Sequence, residues 1–344
     1  MKVVTKYNDS LHNPYWKFQL GPDSYEVKDT PLRVKAIKDR LRDDPEFTLV
    51  TASVFPERLL TRLHPYHDYI RDTAASLREG EEFYPDLFPG EGANLPRRVD
   101  VPLQGGIWCT DAVTPIMPRT YEVARASADT ALTGAELIAS GAERAVYALC
   151  RPSGHHAGPR VFGGYCYFNN AATAAEYLLN KGRVAVIDID YHHGNGTQEF
   201  FIGQKAVFTA SIHGDPAVEY PYFWGYAGET GVGQAAGTNH NEPLPPGTGP
   251  DGYLEALDRV IAAIGGFEPK YLIIAAGFDT HSDDPIGGFR LDIGDYQKIA
   301  GRLAALDLPT LICQEGGYNL ERLGESVHTF LRGFTAGPCR LTGR

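Results

Sequence analysis

The stretch VAVIDIDYHHGNG, residues 184–196, decides how this chain is read. It opens with a continuous apolar run, Val184-Ala185-Val186-Ile187, as in strands buried on both faces of a sheet. Two aspartates, two histidines and an asparagine then crowd into residues 188–196. Carboxylates at the end of a buried strand repel each other and lose solvation, so this arrangement calls for positive charge. Side chains at i, i+2 and i+4 share a face while the backbone stays extended, which points Asp188, Asp190 and His192 the same way.

Outward from this stretch, strand-like and helix-like segments alternate from about residue 120. TYEVARASADTALTGAELIAS has helical periodicity and ends before Gly141; RAVYALC reads as a buried strand; NAATAAEYLLNK is a helix closed by Gly182. AVFTASIH is a strand, GYLEALDRVIAAIGG a helix, KYLIIAAGFD a strand, DIGDYQKIAGRLAAL a helix, PTLICQEGG a strand, and a last helix runs from Leu320 to Phe334. Continuous apolar strands alternating with amphipathic helices predict an α/β chain, a parallel sheet with helices on both faces. No repeat or linker divides the chain, so one domain over 1–344 is expected.

The first third is less regular. TPLRVKAIKDRLRD and HPYHDYIRDTAASLRE look helical, whereas residues 79–118, rich in Gly and Pro, do not. A loop of that length in a compact domain is usually functional or an interface. Phe83, Tyr84, Phe88 and Trp108 favour a packed loop insertion.

Composition narrows the functional classes. The chain carries 32 Lys+Arg against 43 Asp+Glu, net −11, with no basic block. That excludes nucleic acid as the main partner and mildly favours a cationic substrate. Cys109, Cys150, Cys166, Cys313 and Cys339 lack CxxC spacing and read as free thiols of a reducing compartment. MKVVTKYNDS has no signal-peptide core, and no apolar run approaches a membrane span, so a soluble cytoplasmic protein is expected.

Four strand ends carry polar clusters: CRPSGHHAG (150–158), DIDYHHGNG, AGFDTHSDD (276–284) and QEGGYN (314–319). Ligands of parallel α/β sheets bind beyond such ends. Asp190, His192 and the distant Asp279 supply an O/N/O set with room for a further ligand, as in catalytic zinc sites; Fe(II) or Mn(II) accept the same donors. The tandem His155-His156 fits acid–base work, with Asp188 and Asn195 as candidate partners. A carboxylate partner favours imidazolium and an amide partner leaves its histidine closer to neutral, giving the two different roles. The Tyr318 hydroxyl can donate to a carbonyl oxygen as it becomes an oxyanion.

In their order and spacing, RPSGHHAG, GGYCYFNNAA, DIDYHHGNGTQ, SIHGDP, AGFDTHSDDP and EGGY resemble the histone deacetylase superfamily of the arginase–deacetylase fold. The resemblance runs from HDYI at 67–70 to EGGYN, nearly the whole chain. Asn195 is similar to the class II and bacterial branches, where class I members usually carry Asp. GYCYFNNAA, SIHGDPAVEYPYFWGYAGETG, DTHSDDPIGGF and the 79–118 loop are most similar to bacterial acetylpolyamine amidohydrolases.

This resemblance implies zinc ligands at Asp190, His192 and Asp279, a general base at His156, an electrostatic partner at His155 backed by Asp188, and a carbonyl-polarising Tyr318. It implies tunnel walls at Gly164, Tyr165, Tyr220 and Ile286, and a structural potassium site at Asp188 and Ser211 with backbone carbonyls of Asp190, His192 and Ile212. It further implies a homodimer whose 79–118 loop narrows the partner's tunnel. Some members place glutamates on that loop to meet distal ammonium groups. After Arg97-Arg98 this chain offers Asp100 and Asp111 instead. The expectation is therefore a zinc-dependent amidohydrolase acting on short acetylated diamines such as acetylputrescine or acetylcadaverine, with Trp108 and Tyr165 holding a cation at the mouth. The rival readings are a protein-lysine deacetylase with the same catalytic set, an arginase-like two-manganese hydrolase, and a non-catalytic acetylamine-binding protein.

Overall fold

The computed structural model describes residues 1–15, 17–20, 23–85, 88 and 104–337, with the side chains of 17–20 and 23–25 left aside. Its strands are β1 (Lys2–Thr5), β2 (Lys17–Leu20), β3 (Asp23–Glu26), β4 (Thr48–Thr51), β5 (Ala145–Ala148), β6 (Val184–Asp188), β7 (Val207–Gly214), β8 (Asn239–Leu244), β9 (Tyr271–Ala276) and β10 (Thr310–Gln314). Eight of them form one sheet in the order β4-β1-β5-β10-β9-β6-β7-β8, parallel at every step, while β2 and β3 pair as a separate antiparallel hairpin.

The period-two alternation of the strands shows why both faces are covered. Ala185 and Ile187 of β6, with Leu272, Ile274 and Ala276 of β9, face a core completed by the helices Pro31–Arg42, Pro250–Phe267, Ile293–Ala304 and Leu320–Thr335. Val184 and Val186, with Tyr271, Ile273 and Ala275, face the helices Thr120–Ala139 and Asn170–Leu179. Small residues let this second layer approach closely. Ala131 and Ala135 of one helix and Ala171, Ala172, Ala174 and Ala175 of the other are fully buried. At Gly134 an added Cβ would lie 2.4 Å from Leu311 Cδ1. No helix among the described residues is long and apolar enough to cross a membrane.

The expected α/β architecture is present, with most helix ends within a residue or two of those read from the pattern; HPYHDYIRDTAASLRE is helical only over His67–Ser76, three residues short at each end. Three strands of the sheet escape that pattern. β4 forms one edge with β1 beside it, and β8, with the polar sequence NHNEPL, forms the other. The expectation of no helix in 79–118 needs one correction: Gly105–Trp108 forms a single helical turn. Phe83 and Pro85 pack against this turn, since a Cβ on Gly105 would lie 2.9 Å from both Phe83 Cε1 and Pro85 Cβ. The ends of this stretch are pinned by bridges between Phe83 and Ile116 and between Cys109 and Phe162. Residues 86–87 and 89–103, with Arg97, Arg98 and Asp100, lie outside the described residues, as does Cys339. Cys109, Cys150, Cys166 and Cys313 are buried free thiols, as their spacing predicts.

Candidate active site

The strands β5, β10, β9 and β6 are consecutive in the sheet, so their four polar carboxyl ends open side by side. Asp190 and Asp279 are fully buried there, and His192 Nδ1 lies 3.3 Å from Asp190 Oδ1 and 3.0 Å from Asp279 Oδ2. Donor atoms of the three residues all fall within 4.8 Å of one another, so they could hold a metal ion together. The backbone fixes each carboxylate. Gly316 N–H donates to Asp190 Oδ2 at 2.7 Å, and Tyr191 N–H donates to Asp279 Oδ1 at 2.8 Å. Two glycines leave them room: a Cβ on Gly316 would lie 2.5 Å from Oδ2 of both aspartates, and one on Gly277 would lie 2.0 Å from Asp190 Oδ2.

The electrostatics of the cluster are those of a cation site. Burial followed by the Asp190 charge pushes the Asp279 carboxyl up to about 7. Burial also acts to raise Asp190, but the positive charges of His155 and His192 outweigh it and hold that carboxyl well below its ordinary value. Burial alone would neutralise His192, yet its hydrogen bonds to Asp190 and Asp279 push it up to about 10. Two carboxylates and an imidazole of this kind tolerate burial by sharing positive charge, which a divalent ion with O and N ligands supplies. The donor set therefore fits zinc or Fe(II).

The tandem histidines divide as their sequence neighbours predict. His155 Nδ1 donates to Asp188 Oδ2 at 2.9 Å; although burial opposes its charge, Asp190 and Asp188 push it up to about 10. His156 Nδ1 donates to Asn195 Oδ1 at 2.8 Å, which leaves Nε2 as the basic nitrogen. Burial, then the charges of His155 and His192, hold His156 well below its ordinary value, so it is neutral. The two rings are 3.9 Å apart between centroids, close enough for the charge on one to keep the other free of a proton.

Aromatic rings line the approach. Tyr220 stands perpendicular to His156 at 4.9 Å, and Tyr165 meets Tyr318 at 6.0 Å. Gly164 takes φ +58°, and a Cβ there would lie 2.3 Å from His156 Cδ2, so only glycine fits this wall. Tyr165 follows in the left-handed region at φ +65°, with its N–H on Thr114 Oγ1 at 3.0 Å and that of Gly164 on Asp111 Oδ2 at 2.6 Å. The 79–118 stretch thus buttresses the wall from behind. Ile286 is partly exposed, and the next residue, Gly287, packs on Asp279, where an added Cβ would lie 1.6 Å from Asp279 O. Trp108 is partly buried against Tyr66 at 6.3 Å, within the aromatic cluster of Tyr69, Phe162 and Phe168. Ser211 lies opposite Asp188 in the β6–β7 register, and its hydroxyl is 2.8 Å from His213 Nδ1.

With this geometry in hand, comparison with known proteins is decisive. Residues 28–334 match the histone deacetylase domain. The chain belongs to the histone deacetylase family. It is 42% identical to acetylpolyamine amidohydrolase 1 of Pseudomonas aeruginosa over 88% of this chain and 90% of that protein. It is 41% identical to an acetylpolyamine amidohydrolase of Burkholderia pseudomallei over 96% and 97%. The crystal structure of the Burkholderia pseudomallei acetylpolyamine aminohydrolase superposes with a TM-score of 0.90 at 33% identity, covering 98% of this chain and 99% of that one.

Three residues absent from the sequence reading shape this family site. Arg33, buried in the helix Pro31–Arg42, donates from Nε to Gly317 O at 2.7 Å and from Nη2 to Glu315 O, and its guanidinium lies 4.6 Å from the Tyr318 ring centroid. Glu315 Oε2 accepts the N–H groups of Gly154 and His155 at 2.7 and 3.2 Å. Asp284 takes three backbone N–H groups, from Ile286, Tyr318 and Asn319. Glu315 and Asp284 stood inside the quoted strand-end clusters, whereas Arg33 carries no signal beyond its place on an amphipathic helix.

Proposed function

We propose that this protein is an amidohydrolase that releases acetate from acetylated polyamines, short ones such as acetylputrescine and acetylcadaverine above all. The observation that carries the reading is the divided histidine pair, charged His155 on Asp188 and neutral His156 on Asn195, set beside the Asp190, His192 and Asp279 cluster. Support for the substrate class comes from relatives at 41–42% identity that are named acetylpolyamine amidohydrolases.

Asp190, His192 and Asp279 would hold zinc, or Fe(II), which when bound supplies Lewis-acid polarisation of the amide carbonyl and of the attacking water. His156 takes a proton from that water at Nε2 as the C–O bond forms. His155 stays protonated and offsets the negative charge that develops. The Tyr318 phenol, which burial raises well above its ordinary value and so keeps protonated, donates to the carbonyl oxygen as it becomes tetrahedral. His156 then passes its proton to the amine nitrogen, the C–N bond breaks, and acetate and free amine leave.

Gly164, Tyr165, Tyr220 and Ile286 would wall the methylene chain, with Trp108 toward the mouth. Asp188 and Ser211 would help hold a structural potassium ion; they line a small cavity of about 10 Å³ with Thr209, Asn239 and Asn241. We read the chain as one deacetylase domain in which 79–118 is an insertion at a homodimer interface, working in the cytoplasm, where its buried thiols stay reduced. The test is metal content together with acetate release. The parent chain should carry near-stoichiometric metal and turn over acetylputrescine, and Asp190→Ala should lose both. A variant that keeps its metal would refute the ligand assignment, and an inactive, metal-loaded parent chain would refute the activity.

A further inference from the structure

We infer that Asp284 is a positioning residue for Tyr318: its carboxylate sets where the tyrosine hydroxyl stands by gripping the backbone on which Tyr318 is carried. The inference rests on the role proposed for Tyr318 and deepens it. Tyr318 lies in the turn after β10, with Gly317 at φ +112° just before it, a backbone free to take several paths. The carbonyl side of that turn is held by Arg33 through Glu315 O and Gly317 O. The N–H side is held by Asp284, whose Oδ2 accepts from Tyr318 N at 2.6 Å and from Asn319 N at 3.1 Å. Its Oδ1 accepts from Ile286 N at 3.1 Å. One carboxylate therefore joins the turn that carries Tyr318 to the turn after β9 that carries Ile286 and packs on Asp279. Asn319 tightens the same joint, donating from Nδ2 to Asp283 O at 2.8 Å while its Oδ1 caps the helix Leu320–Thr335.

The choice of a carboxylate here is informative. Asp284 is 7% exposed and makes no ion pair among the described residues; backbone N–H groups are its hydrogen-bond donors there. Burying an unpaired charge is an expensive way to close a loop. What it provides is an acceptor strong enough to take three donors in fixed directions, two of them on the turn of a residue whose hydroxyl must meet a carbonyl oxygen to within a fraction of an ångström. An amide at this position cannot do the same, because one of its two heads is a donor and would face an N–H.

The experiment is a double-mutant cycle on metal-loaded protein with acetylputrescine as probe, combining Asp284→Asn with Tyr318→Phe. Asp284→Asn should lower kcat on the order of 10- to 100-fold, as misplacement by about an ångström does, with KM changed by less than about threefold and metal content unchanged. In the Tyr318→Phe background the same substitution should cost no more than about threefold, because the hydroxyl it positions is gone. Hydrogen exchange at the 317–319 amides should quicken in Asp284→Asn. Should Asp284→Asn not fold, Asp284→Glu, which keeps the charge but lengthens the arm, runs the same cycle with the same expectation. An equal loss in both backgrounds, or no loss in either, overturns the inference. If Tyr318→Phe alone leaves kcat unchanged, the role of Tyr318 falls first, and that outcome is read separately in the single variant.

Discussion

At the scale of single residues, the site works because neighbours of opposite chemistry stand behind two identical side chains. His155 and His156 differ in what their Nδ1 meets, a carboxylate or an amide, and with the neighbouring charges that difference separates a charged imidazole from a neutral one. The histidine partners were legible in the sequence by type and offset, although the extended backbone expected through His192 is not present: Asp188 ends β6, Asp190 and His192 follow in the bend beyond it, and Asn195 opens the helix Asn195–Phe201. Asp284, Glu315 and Arg33 were not legible as site residues, because each grips backbone N–H or C=O groups, and backbone partners leave no pattern of residue types. Gly164 offers a test at this scale. Its positive φ and the 2.3 Å approach of an added Cβ to His156 Cδ2 mean that Gly164→Ala displaces the His156 ring rather than filling space. We expect kcat/KM for acetylputrescine to fall on the order of 100-fold with metal content retained. A variant within a few-fold of the parent would show that His156 does not depend on this wall.

At the scale of elements, legibility followed the continuity of apolar residues: β1, inside the sheet, offers only Val3-Val4 and gives no such run. β5, β6, β9 and β10 lie in the interior of the sheet and read as continuous apolar runs. β4 and β8 are its edges, and their sequences, TLVT with no fully buried residue and NHNEPL with polar side chains, give no such run. β8 is a strand through its parallel pairing with β7, and the Nδ2 groups of its Asn239 and Asn241 both donate to Gln198 Oε1. The single turn Gly105–Trp108 hides for the opposite reason, since two glycines are poor helix formers and tertiary contacts decide. Elements also carry a pH dependence away from the Asp190, His192 and Asp279 cluster. His64 joins two helices: its Nδ1 donates to Leu60 O, and its Nε2 accepts the N–H of Asn169, the residue that caps Asn170–Leu179. That arrangement requires a neutral ring, and burial, partly opposed by the bond to Leu60, lowers its pKa to about 3 from an ordinary 6.5. The folded pKa lies below the unfolded one, so the stabilisation is complete above pH 6.5 and is lost as pH falls toward 3. Between these limits unfolding of the parent chain should take up about one proton more than unfolding of His64→Gln, which keeps both hydrogen bonds. In denaturant titrations this is a difference in slope of about 1.4 kcal/mol per pH unit. Equal slopes would contradict the neutral buried imidazole.

At the scale of the whole molecule, the sheet supplies the reason for the site: four neighbouring strands deliver their polar ends to one place, and the layers on both faces hold those strands still. A parallel sheet with two covered faces follows from alternation of apolar strands and helices, which is why the architecture was legible from the sequence. The entrance was not, because the 79–118 stretch follows neither period, and its described ends show only that it anchors at Phe83, Ile116, Cys109 and Phe162 and supports Gly164 and Tyr165. Access to the site is where a small-amine deacetylase and a protein deacetylase part, since their chemistry is shared. The most direct measurement is therefore kcat/KM for acetate release by the zinc-loaded chain across acetylputrescine, acetylcadaverine, acetylspermidine, acetylspermine and an acetyl-lysine peptide. The account predicts that the two short diamines lead and exceed the peptide on the order of 100-fold. A peptide turned over as well as the diamines would contradict it and make this chain a protein-lysine deacetylase with an open site.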